Sequence, residues 1–137
     1  MTNAISEADV LPRKVTVLLA EDEVLLRLMV SDVLRENEFQ VFEARDATEA
    51  ISILRTTQVD VVVTDMHMRA VGDGMQVASY VRSHCFGVSL LLAAAKTPIG
   101  HSPFDASFIK PYQPEDIVMW IRRHHATASR CEVGTLV

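Results

Sequence analysis

Three short runs of this chain hold three or four consecutive apolar residues rather than alternate ones. They lie in Val15-Thr16-Val17-Leu18-Leu19-Ala20, Val59 through Val63, and Val88 through Ala93, with Thr16, Asp60 and Ser89 the one polar residue in each. A strand of that composition is covered on both faces, which is the situation inside a parallel sheet sandwiched by helices. Because strands of such a sheet run the same way, the residues just past their carboxyl ends meet along one edge. Here that edge collects Glu21-Asp22-Glu23 after the first run and Asp65 after the second, and Lys110-Pro111 closes a later strand-like stretch. Of these, the carboxylates of Glu21, Asp22 and Asp65 with the Lys110 amine make a site for divalent-cation and phosphate chemistry.

The segments between the runs have helical periodicity. Helix one is predicted over Val24–Glu36, with Leu25, Leu28, Met29 and Val33 as its apolar stripe. Strand two is Gln40–Ala44. Asp46 then caps helix two with Glu49 three residues on, and Ala50, Ile51 and Leu54 point inward. Strand three ends at Thr64, Gly72-Asp73-Gly74 turns the chain, and helix three runs from about Met75 to Ser83 with Val77, Tyr80 and Val81 inward. Lys96 through Pro103 carries two prolines and a glycine, a poor helix former. A short strand near Ser107–Lys110 precedes a last helix from Pro114 to about His125, with Ile117, Trp120 and Ile121 buried. The expected architecture is an open, doubly wound parallel α/β sheet of five βα units. Residues 1–13 are expected to be a flexible lead-in, 14–125 the domain and 126–137 a small polar tail.

A length of 137 residues, 49% of them apolar, suffices for one core without staples. The net charge of −5 argues against nonspecific nucleic-acid binding, which needs a basic face. No apolar stretch approaches a membrane span and no signal pattern opens the chain, so a cytoplasmic location is expected. Cys85 and Cys131 lack metal-ligand spacing and are read as reduced thiols. The five histidines, His67, His84, His101, His124 and His125, are placed at the surface.

The ordered set Leu-Leu-Ala-Glu-Asp-Glu, Val-Val-Val-Thr-Asp-Met-His-Met and Phe-Ile-Lys-Pro-Tyr resembles the response-regulator receiver domain of two-component signalling over about residues 14–125. The resemblance implies a flavodoxin-like fold with strand order 2-1-3-4-5. It also implies roles. Asp65 would accept a phosphoryl group from a histidine kinase or histidine phosphotransfer protein, and Lys110 would pair with the phosphoryl oxygens. Mg²⁺ would be held by Glu21, Asp22, Asp65 and the backbone carbonyl of His67. These hard oxygen donors match what Mg²⁺ prefers, independently of the likeness. Output would be protein–protein contact, including a homodimer through the helix 4–strand 5–helix 5 face, and the partners would be neither nucleic acid nor membrane.

The sequence departs from the family pattern in its switch. A Ser or Thr is usual at the end of strand four, where this chain has alanines, and Ala93 is taken as that position. The aromatic usual three residues before the lysine is Ser107, with Phe108 one step later. Helix four is expected to be short or irregular, as in a subset of stand-alone or short-linked alphaproteobacterial receivers. The leading expectation is thus a single-domain signalling switch rather than an enzyme. A receiver-fold binding module that works without phosphate is the alternative. An aspartate-nucleophile phosphohydrolase would want a second carboxylate where His67 stands.

Overall fold

The computed structural model describes residues 13–98, 100–125 and 130–131. The elements are β1 (Thr16–Ala20), α1 (Val24–Glu36), β2 (Gln40–Ala44), α2 (Ala47–Thr56), β3 (Val61–Thr64), α3 (Asp73–His84), β4 (Cys85–Phe86), β5 (Ser89–Ala94), β6 (Ala106–Ile109), α4 (Pro114–His124) and β7 (Arg130–Cys131). Five strands form one sheet in the order β2-β1-β3-β5-β6, with every pairing parallel. Setting aside the two-residue β4, which pairs antiparallel with β7 in a separate ribbon, this is the expected 2-1-3-4-5 arrangement. The lead-in predicted over 1–13 lies outside the described residues except for Arg13. Most of the predicted tail does too, but its Arg130–Cys131 is strand and pairs with Cys85–Phe86.

The consecutive apolar runs follow from burial on both faces. Leu18, Ala20, Val62 and Leu90 pack on one face with Ala50 and Leu54 of α2 and with Val77 and Val81 of α3. Val17, Leu19, Val61, Val63, Leu91 and Ala93 pack on the other with Val30 and Leu34 of α1 and Ile117 and Ile121 of α4. Each large side chain so buried is worth about 1.5–3 kcal/mol of transfer free energy. Asp46 caps α2 as expected: its carboxylate accepts from Glu49 N–H at 2.8 Å, and the Glu49 carboxylate accepts from Arg45 N–H at 2.9 Å.

Several expectations are corrected. Helix α1 carries two apolar stripes, and the sheet takes the one with Val30 and Leu34, not the one with Leu25, Leu28 and Met29. Leu25 is 78% exposed, so helical spacing named the right element and the wrong face. Trp120 is only half-buried and stacks on His124 at 4.6 Å between ring centroids. In keeping with the poor helix-forming composition of Lys96–Pro103, by contrast, no helix forms between β5 and β6 among the described residues. Pro98 and Pro103 withhold backbone donors there, and Gly100 sits at φ +80°. The predicted dimer face therefore lacks its first element.

The cysteine reading is also overturned: Cys85 is disulfide-bonded. The β4–β7 ladder sets Cys85 directly opposite Cys131, a proximity that a separation of 46 positions conceals. His125, expected at the surface, has a side chain only 1% exposed. It packs at the rim where the strands begin, beside Asp60. Asp60 accepts two hydrogen bonds from the Arg13 guanidinium, both 2.8 Å, and one from Thr16 N–H at 2.8 Å. These three donors compensate a carboxylate that is otherwise out of water.

Candidate functional site

At the opposite rim the parallel ladder continues one residue beyond three strands. Glu21 N–H donates to Ala44 O (2.9 Å), Asp65 N–H to Ala20 O (3.0 Å) and Lys110 N–H to Ala94 O (2.9 Å). Glu21, Asp65 and Lys110 are thereby fixed in height and register by backbone bonds before any side-chain contact forms. The Lys110 ammonium then donates to Glu21 Oε1 and Asp65 Oδ2, each at 2.8 Å. Glu21 Oε2 accepts from Glu23 N–H at 3.2 Å, and Asp65 Oδ1 from Met66 N–H at 2.7 Å. Asp22 is exposed, yet carboxylate oxygens of Glu21, Asp22 and Asp65 lie within 4.8 Å of one another.

Burial raises the Glu21 pKa above the ordinary carboxylate value, and Lys110 and the Glu23 N–H only partly offset it. Burial alone would lower Lys110, but the hydrogen bonds from its ammonium to Asp65 and Glu21 win, and it is held above the usual lysine value. Tyr112 is pushed up to about 12, by burial first and then by the Glu21 charge. The group is short of positive charge, and its oxygen-only donor set with one open side suits a hard divalent cation.

Gly74 shapes this rim from α3. Its N–H donates to Met66 O at 2.8 Å, and a Cβ on it would run into the backbone carbonyl of Asp65. A cavity of about 630 Å³ opens beside the acids, lined by Asp65, Met66, His67, Ala94, Ala95, Lys96, Thr97, Pro98 and Lys110. His67, considered from sequence only for its backbone carbonyl, also lines this cavity, and its side-chain Nδ1 accepts from Gly72 N–H at 3.0 Å.

The family model for the response regulator receiver domain matches residues 17–100. This chain belongs to the response regulator receiver family. The transcriptional regulatory protein PdtaR of Mycobacterium tuberculosis is 31% identical over 148 residues, covering 99% of this chain and 71% of that protein. The probable transcriptional regulatory protein TcrX of the same organism is 32% identical over 114 residues, 79% of this chain and 48% of that one. Among solved structures, a CheY-like receiver from Methanospirillum hungatei superposes with a TM-score of 0.73 at 14% identity, over 81% of this chain and 93% of that one. The response regulator TrrA of Thermotoga maritima, solved in complex with Mg²⁺ and BeF, gives 0.71 at 18% identity, over 80% and 97%. These likenesses establish the flavodoxin-like fold.

Within this receiver, strand alternation separates the residues that the sequence reading took as switch positions. Ala93 belongs to the core on the α1–α4 side, whereas Ala94 and Ala95 line the cavity beside Asp65. Ser107 is exposed. Phe108 packs on the α1–α4 side with its ring 6.3 Å from that of Tyr112, on the opposite face of β6 from Ser107. The period-two rule counted back from Lys110 was the signal available for Ser107 and Phe108.

Proposed function

We propose that this receiver takes a phosphoryl group onto Asp65 from a phosphohistidine of a histidine kinase or histidine phosphotransfer protein, and signals by protein–protein contact. In the transfer the N–P bond breaks, an O–P bond forms to an Asp65 carboxylate oxygen, and the nitrogen leaves with the electron pair. The observation that carries this reading is the placement of Asp65 between a shared ammonium and two further carboxylates. Glu21, Asp22, Asp65 and the His67 carbonyl would hold Mg²⁺. When bound, the ion supplies positive charge that screens the incoming phosphoryl oxygens. Lys110 neutralises the same oxygens from the β6 side, and Glu21 keeps Lys110 oriented when Asp65 Oδ2 is consumed.

The chemistry is self-modification rather than turnover of a separate substrate. No helix among the described residues is long and apolar enough to cross a membrane, and kinase-linked signalling suits the cytoplasm, where the Cys85 disulfide would be exposed to reduction. The relatives named transcriptional regulators are longer than this chain, which spans about half of TcrX. A DNA-directed output is therefore not transferred to it.

The test is incubation with Mg²⁺ and acetyl phosphate followed by intact mass measurement. A phosphoryl adduct on the wild type that is lost in Asp65→Ala supports the reading. No adduct would favour the second reading, a receiver-fold binding module independent of phosphate, which Ala94 and Ser107 make worth testing.

A further inference from the structure

The cavity beside Asp65, about 630 Å³, is far larger than a phosphoryl group, and five of its nine lining residues have no donor in the side chain. Ala94, Ala95, Met66 and Pro98 carry apolar side chains. Lys110 already spends hydrogen bonds on Glu21 and Asp65, while His67, whose Nδ1 accepts from Gly72 N–H, keeps Nε2–H as a donor on the Met66 side of the cavity. A phosphoryl group brings about two negative charges and three strong acceptor oxygens. Some donor must meet the oxygens turned toward the alanines.

Thr97 lines that cavity, is exposed, and among the described residues its hydroxyl engages no hydrogen bond. It immediately precedes Pro98, which restricts its backbone to extended conformations and so limits where the short side chain can point. Lys96, its neighbour, is long and can keep its ammonium in water. We propose that Thr97, carried on the helix-free segment after β5, supplies the hydroxyl that holds the phosphoryl group on Asp65. The inference rests on the Asp65 reading and adds a phosphoryl-binding residue to it.

Binding of beryllofluoride with Mg²⁺, followed by calorimetry, and the lifetime of the acyl phosphate, followed by intact mass, test the assignment on the full chain. Thr97→Val, which removes the hydroxyl and keeps the shape, is expected to weaken beryllofluoride binding about tenfold to a hundredfold, the range for a hydrogen bond to a charged group. Thr97→Ser is expected to restore it. Equal affinity and equal phosphoryl lifetime in wild type and Thr97→Val would overturn this inference while leaving Asp65 as acceptor. A loss in Lys96→Met with none in Thr97→Val would overturn it too. Absence of any adduct or beryllofluoride binding in the wild type would overturn both readings together.

Discussion

The Lys110 ammonium sits 2.8 Å from Asp65 Oδ2 and 2.8 Å from Glu21 Oε1, on oxygens that a divalent cation would also draw upon. Ion and ammonium therefore repel one another across shared carboxylates. At such distances the repulsion amounts to about 1 kcal/mol in a water-like dielectric and more where water is excluded. Lys110→Gln is expected to bind Mg²⁺ several-fold more tightly by calorimetry. The same variant should form the acetyl-phosphate adduct at least about tenfold more slowly, because a donor to the phosphoryl oxygens is gone. Unchanged Mg²⁺ affinity would show that the two cations do not compete.

Gly74 has no room for a side chain, since its Cβ would enter the space of the Asp65 carbonyl oxygen. The obstacle is backbone and cannot swing aside. Gly74→Ala should destabilise the fold by about 1–3 kcal/mol, the range for forced overpacking, as read from urea unfolding. A variant as stable as wild type would mean that α3 shifts without strain.

His125 is held below the ordinary imidazole value of 6.5, first by burial and then by Arg13, with Asp60 opposing and Ser89 Oγ at 3.0 Å from Nδ1. The unfolded chain takes up a proton near pH 6.5 that the folded chain resists. Stability therefore falls as pH drops through that value. Urea midpoints at pH 7.5 and 5.5 should diverge more for wild type than for His125→Gln. Parallel losses in both proteins would assign the acid sensitivity to other groups.

The Cys85 disulfide closes a long stretch of chain onto the end of α3. Reduction is expected to lower stability by about 2–4 kcal/mol, mostly by freeing the unfolded chain. Thermal melts with and without a thiol reductant, alongside Cys85→Ser, measure this. A melting point indifferent to the reductant would show that the ribbon contributes nothing to folding.

Element positions were legible because burial on both faces of a parallel sheet leaves an unmistakable run of Val and Leu, and Gln40–Ala44 and Val24–Glu36 were bounded to the residue. The acids and the lysine were legible because strand ends share an edge, whatever the side-chain detail. Faces were harder. In α1, Leu25 and Leu28 compete with Val30 and Leu34 on equal hydrophobic terms, and only the position of the sheet decides. At Ala93 and Ala94 two identical side chains in a row erase the pattern, so the register had to come from the pairing of Ala94 with Ile109. The disulfide and the burial of His125 depend on contacts distant in sequence, to which no local spacing points.

Asp60 gathers Arg13 from ahead of β1 and faces His125 from just beyond α4, on the rim remote from Lys110. Whatever is joined on either side of this unit hangs from one shared anchor. Tension arriving from either direction would load the floor of the sheet and spare the chemistry overhead.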